Sequence, residues 1–153
     1  MSCTKNQRGK MQRAGLLIVD VQVGFNPSQA LIEGIGKAAL RYATIVMTRF
    51  SNRPGSLYRT VLNWHGEGGA LALHLPSAVI LDKNGYGLTA AHLQKLKDMN
   101  CAEWHVCGLE TDACVLACAF SLWDAGIHPV IQSALCESPL HSEGVAVARR
   151  QFG

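Results

Sequence analysis

Apolar residues in this chain come in short unbroken runs separated by amphipathic stretches, an alternation that predicts strands and helices in turn. Leu16-Leu17-Ile18-Val19 is one such run and ends at Asp20. Continuous runs of this kind belong to strands covered on both faces, because a solvated face would carry a polar residue at every second position. Four more strands are predicted at 44–48, 78–81, 103–107 and 128–131. Ser28 caps a predicted helix reaching Tyr42, with Leu31, Ile32, Ile35, Ala38, Ala39 and Tyr42 at helical spacing. Thr89 caps a second, extending to Met99. A third spans 112–125 and stops at Gly126, a natural C-cap, and a fourth spans 141–152.

Strands alternating with helices specify βαβ units. The expected fold is α/β with three layers (α/β/α), a Rossmann-like, mostly parallel sheet of five or six strands flanked by helices. Residues 1–14 read as a polar leader and 15–153 as a single domain, with no internal repeat and no linker composition. Between Arg49 and Pro76 the periodicity loosens, and Pro54, Gly55, Gly66, Gly68 and Gly69 divide the chain into short helical pieces. Long irregular stretches inside compact domains are commonly functional.

Composition narrows the function classes. The chain has 153 residues, 48% hydrophobic and 16% charged, with a net charge of +3, an ordinary globular make-up. Lys5, Arg8, Lys10 and Arg13 are concentrated in the leader. No basic stripe interleaved with aromatics follows, so no nucleic-acid partner is expected. No apolar run approaches the roughly 20 residues that span a bilayer, so no membrane partner is expected either. Six cysteines without a secretory leader point to free thiols in a reducing, cytoplasmic setting.

In open α/β sheets, ligands bind beyond the C-terminal ends of the strands. Asp20 follows the first predicted strand, Lys83 the third, and Cys114 opens the helix after the fourth. A thiol at a helix start lies near unpaired N–H groups that stabilise its thiolate. A neighbouring carboxylate can take its proton, and a lysine beside both can hold the charges. Each residue also has an ordinary reading: Cys114 as core packing, Asp20 as a turn residue, Lys83 as a solvated charge.

The combination resembles a known family. Asp20-Val21-Gln22-Val23-Gly24-Phe25 resembles the D-x-Q-x-x-F opening of the isochorismatase-like cysteine hydrolases, a superfamily that includes the nicotinamidases and carbamoyl amidohydrolases. Lys83 matches the family lysine after the third strand. Gly108-Leu109-Glu110-Thr111-Asp112-Ala113-Cys114-Val115 is similar to the family's G-x-x-T-D-x-C-V nucleophile motif. The resemblance runs from Leu16 to the end of the chain. It implies a cysteine hydrolase with Cys114 as nucleophile, Asp20 as proton-transfer residue and Lys83 as the cation. It further implies a cis peptide between Leu109 and Glu110, and an oxyanion hole built from the backbone N–H groups of Glu110 and Cys114.

The chain also departs from the family. Nicotinamidases bind a metal through an aspartate and histidines after the second strand, where this chain reads Thr48-Arg49-Phe50-Ser51-Asn52-Arg53 without a carboxylate. None of its six histidines forms a close pair, and His65 and His74 read as surface or packing residues. No metal and no cofactor are therefore expected. The intact cysteine motif favours hydrolysis of a C–N bond in a small amide, carbamoyl or ureido compound. Arg49 and Arg53 are candidates for holding a substrate carboxylate through the guanidinium fork. Phe25 and Tyr86 are candidate substrate-binding walls. Trp64 and Tyr58 are equally suited to walls, core or oligomer contacts.

The Glu110 side chain is left open between solvent, substrate and an oligomer contact. Relatives often complete their pocket with a neighbouring subunit, so a homo-oligomer acting on a small-molecule substrate is implied. The competing reading is a catalytically idle binding or assembly module that retains the fold. A Rossmann-like nucleotide binder is disfavoured, since no glycine-rich phosphate loop follows the first strand.

Overall fold

The computed structural model describes residues 13–138 and 141–152. Residues 1–12 of the expected leader lie outside the described residues, and Ala14 already belongs to the first strand. Five strands form the sheet: β1 (Ala14–Val19), β2 (Ile45–Phe50), β3 (Val79–Lys83), β4 (Glu103–Leu109) and β5 (Pro129–Glu137). Their order is β3-β2-β1-β4-β5, and every pairing is parallel. The expected α/β architecture is therefore present, with the sheet wholly parallel.

The chain builds outward from β1 through β2 to β3, then returns to the other side of β1 for β4. That reversal opens a crevice between the C-terminal ends of β1 and β4, the place where α/β sheets hold ligands. In register, Val19 lies beside Gly108, so Asp20 and the turn after β4 emerge as neighbours.

Helices cover both faces. On one face Leu16 and Ile18 of β1 pack with Leu31, Ile35 and Ala39 of α1 (Gln29–Ala39). On the other, Leu17 and Val19 pack with Leu96 of α3 (Ala90–Asp98) and with Cys118 and Leu122 of α4 (Leu116–Asp124). The α2 turn (Leu57–Thr60) lies in the loop after β2, and α5 (His141–Phe152) closes the described chain. All four side chains of the Leu16–Val19 run are fully buried, as two-sided coverage requires.

Capping sets two helix starts. Ser28 Oγ accepts from the Leu31 N–H at 3.0 Å. Its hydroxyl donates to the Glu137 carboxylate at the end of β5, which also accepts the Ser28 N–H at 3.1 Å. A carboxylate there also complements the positive end of α1. Thr89 caps α3 reciprocally with His92.

Of the boundaries that differ from the expectation, three have a physical reason in the structure. β3 reaches Lys83 because Asp82 faces solvent while Lys83 points inward, where ion pairing offsets its charge. β5 runs on to Glu137 past the polar Gln132 and Ser133, because Leu135 and Cys136 of its second half pack against the core. The helix expected from Asp112 begins instead as a π-helical turn, Thr111–Val115, and the α-helix proper starts at Leu116.

Candidate functional site

Asp20 leaves β1 with a left-handed backbone (φ 50°). Thr48 of β2 fixes it twice: the Asp20 N–H donates to Thr48 Oγ1 at 3.1 Å, and the Thr48 hydroxyl donates to Asp20 Oδ1 at 2.7 Å. The other carboxylate oxygen, Oδ2, lies 2.9 Å from Lys83 Nζ. The remaining ammonium protons go to the carbonyls of Gly85 (2.7 Å) and Tyr86 (3.0 Å), so all three donors are engaged. Nζ also stands 5.5 Å from the centre of the Phe50 ring, within cation–π range.

The third member arrives from β4. Gly108 has φ 116°, and a Cβ there would stand 2.2 Å from the Val19 carbonyl oxygen, so only glycine permits this crossing of β1 and β4. The Leu109–Glu110 peptide that follows is cis. In the π turn, the Ala113 and Val115 N–H groups both donate to the Glu110 carbonyl at 3.1 Å. The Cys114 N–H lies between these two in the same turn. The half-buried Cys114 thiol lines the same cavity as Asp20 and lies close enough to the Asp20–Lys83 pair for both charges to act on it. Three residues far apart in sequence thus meet.

Their electrostatics correct one expectation. Burial pushes the Cys114 thiol up to about 12, with the Asp20 charge adding to the effect and Lys83 opposing it. The resting group is a thiol, and a helix start does not lower it. Cys114 is the fourth residue of a π turn beside a buried carboxylate, not a residue at the first exposed N–H groups of an α-helix. Burial would lower Lys83, but its acidic neighbours, Asp20 foremost, outweigh it, so Lys83 is held above its ordinary value and stays cationic.

A cavity of about 460 Å³ opens over this group. Phe25, Phe50, Tyr58, Leu62, Trp64 and Tyr86 supply its apolar wall, and Asp20, Asn26, Glu110 and Cys114 its polar atoms. Phe25 and Trp64 stack at 6.3 Å with an interplanar angle of 18°, and Tyr58 meets Tyr86 edge-on at 5.0 Å. Tyr58 and Trp64, left open by the sequence, lie in this wall, as do Phe25 and Tyr86. Burial raises Tyr58, keeping its hydroxyl protonated.

Arg49 lies elsewhere. It alternates outward on β2, between inward-facing Thr48 and Phe50, and its guanidinium grips Asp82 of β3 at 2.7 and 3.1 Å. Neither Arg49 nor Arg53 lines the cavity, so the expected carboxylate clamp is not built.

The loop after β2 is held from within. The Asn52 amide donates to the Trp64 and Gly66 carbonyls and accepts from Ser56 Oγ, while Glu67 accepts from the Asn52 N–H and pairs with Arg59. Fully buried Gln22 joins this loop to the sheet, exchanging bonds with both backbone groups of Phe50 and donating to Gly69. Gly24 lies so close to the loop that a Cβ would stand 2.0 Å from the Glu67 carbonyl oxygen. These bonds fold the irregular 51–69 stretch over the site.

Sequence reasoning missed Thr48, Phe50, Asn52 and the anchoring role of Gln22. The inward alternation of β2 was the available signal for Thr48 and Phe50, since both lie on the face that carries no arginine.

No family model matches the chain, and no curated protein matches it. Solved structures do share its fold. Zinc-bound pyrazinamidase of Pyrococcus horikoshii superposes with a TM-score of 0.77 at 17% identity, over 92% of this chain and 96% of that one. N-carbamoylsarcosine amidase from Thermoplasma acidophilum gives 0.76 at 14% identity, over 92% and 93%. An isochorismatase-like hydrolase from Alkaliphilus metalliredigens gives 0.77 at 14% identity, over 92% of each chain.

The zinc of the first neighbour raises the question of a metal here. In the loop after β2 both ends of the Asn52 side-chain amide are already used, in bonds to the Trp64 and Gly66 carbonyls and the Ser56 hydroxyl. Among the described residues, no group of three His, Cys, Asp or Glu side chains could hold a metal ion. The residues present do not fit that group, and no step is assigned to it. Nor is any described helix long and apolar enough to cross a membrane.

Proposed function

We propose that this chain is an isochorismatase-like hydrolase that cleaves the C–N bond of a small amide, carbamoyl or ureido compound through a cysteine acyl-enzyme. The observation that carries the reading is one cavity lined by both the Cys114 thiol and Asp20, with Asp20 paired to buried Lys83 at 2.9 Å. The fold shared with two amidases and a hydrolase supports the same class.

Because burial holds the thiol protonated, proton transfer and attack must proceed together. Asp20 takes the thiol proton as sulfur bonds to the carbonyl carbon. Lys83 keeps the departing charge balanced. The carbonyl oxygen, now negative, accepts from the Cys114 and Glu110 N–H groups, donors fixed before the reaction begins. Collapse of the adduct breaks the C–N bond, and Asp20 returns its proton to the leaving nitrogen. Water then gives a proton to Asp20 and attacks the thioester. As the C–S bond breaks, that proton passes back to sulfur and the acid product leaves.

The test is ammonia release from a panel of small amides, carbamoyl amino acids and ureido acids, with the Cys114→Ala protein alongside. Release confined to the unaltered protein supports the reading and names the substrate group. No release across the panel, or equal release by both proteins, overturns it.

A further inference from the structure

Glu110 lines the cavity beside Cys114, half-buried. Its carboxylate has no hydrogen-bond or ion-pair partner among the described residues. The charge that acts on it is another carboxylate, Asp112, whose own oxygen already accepts from Ser138. Among the described residues the cation at the site is Lys83, which spends its donors on Asp20 and two carbonyls, and neither Arg49 nor Arg53 lines the cavity. With Asp20 balanced by Lys83, the charge of Glu110 is left uncompensated among the described residues. Facing that charge is a wall of aromatic rings, whose π faces attract cations.

We propose that the cavity selects substrates bearing a positively charged group on the part not cleaved, held by the Glu110 carboxylate and the aromatic wall, and rejects those bearing a carboxylate. The inference rests on the acyl-transfer reading only in taking Cys114 as the end of the cavity where the scissile carbonyl sits. Burial and the Asp112 charge both disfavour the ionised Glu110 carboxylate. A ligand's cation relieves that unfavourable position, and an anion worsens it. The sequence-based expectation of a substrate carboxylate is thereby reversed.

The test uses the full chain with Cys114→Ala, so that binding is read without turnover, and three benzamides alike in size. They are the meta-aminomethyl (cationic), meta-hydroxymethyl (neutral) and meta-carboxy (anionic) compounds, with affinities measured by calorimetry near neutral pH. The cationic compound should bind about tenfold more tightly than the neutral one, equivalent to about 1.4 kcal/mol, and the anionic one more weakly than both. Adding Glu110→Gln should remove most of that difference. Equal affinities, tighter binding of the carboxy compound, no binding of any of the three, or a preference that survives in a folded Glu110→Gln protein would overturn the proposal. The ranking in the Cys114→Ala protein decides by itself should Glu110→Gln fail to fold. Charge selection and hydrolysis fail separately. Loss of this ranking leaves ammonia release as it was, and absence of turnover leaves the ranking as it was.

Discussion

Lys83 Nζ stands 2.9 Å from Asp20 Oδ2, and both side chains are 1% exposed. A charged pair so far from water persists only when its other hydrogen bonds are also made, and here Thr48, Gly85 and Tyr86 make them. Replacing Lys83 by Met keeps the length of the side chain but leaves Asp20 buried and uncompensated. The expected loss is about 3–5 kcal/mol of stability, read from urea unfolding, together with loss of hydrolysis.

Asp20→Asn separates the reactivity of sulfur from catalysis. The Asp20 charge raises the Cys114 pKa and Lys83 lowers it, so removing the carboxylate must bring the thiol down from about 12. Alkylation of Cys114 by iodoacetamide should therefore begin at lower pH in Asp20→Asn than in the unaltered protein, while kcat falls by about 10²–10⁴ with the loss of the proton acceptor. Slower alkylation in the variant would contradict this electrostatic account.

Thr48 is a positioning residue, since its hydroxyl bonds Asp20 and it does not line the cavity. Thr48→Val preserves shape but leaves the Asp20 N–H and one carboxylate oxygen without that partner. The expected cost is about 1–3 kcal/mol, with kcat reduced more than KM is changed and the pH profile of kcat displaced. Thr48→Ser, which restores the hydroxyl, should recover most of both. A purely structural role would lower stability without moving the pH profile.

Stability should fall on the alkaline side. Cys107, Cys114, Cys118 and Cys136 are all raised above the ordinary cysteine value of 9.0 by burial. Lys83 is raised above 10.5, burial being outweighed by Asp20. A group whose folded pKa is raised contributes stability that is complete below its unfolded pKa and is lost as pH climbs towards its folded value. Unfolding free energy should therefore decline from about pH 9 upward, where the unfolded cysteines ionise, and more steeply beyond 10.5. A flat profile between pH 8 and 11 would contradict it.

Much of this architecture is legible in the chain because its strongest signals are local. The Leu16–Val19 run, the Ser28 and Thr89 caps and the Gly126 stop depend on neighbours in sequence, and the structure has an element at each. Asp20, Lys83 and Cys114 could be named because motifs carry them. Their convergence, however, depends on the strand order, which sets β1 between β2 and β4. What remained hidden is long-range. Arg49 looked available for a substrate until the register of β2 with β3 set it beside Asp82. The thiol looked activated until burial and Asp20 raised it. Asn52 and Thr48 carry no motif, and their importance comes from partners brought close by folding.

The most direct test of the central claim, that Cys114 forms a covalent acyl intermediate with the help of Asp20 and Lys83, is mass analysis of the Cys114 peptide. The protein would be mixed with an amide it hydrolyses and quenched in acid before turnover is complete. A mass increase equal to the acyl group, confined to Cys114 and absent with hydrolysis in Cys114→Ala, is the predicted result. Full-rate release of ammonia by Cys114→Ala, with Cys114 of the unaltered protein unmodified throughout, would contradict the account.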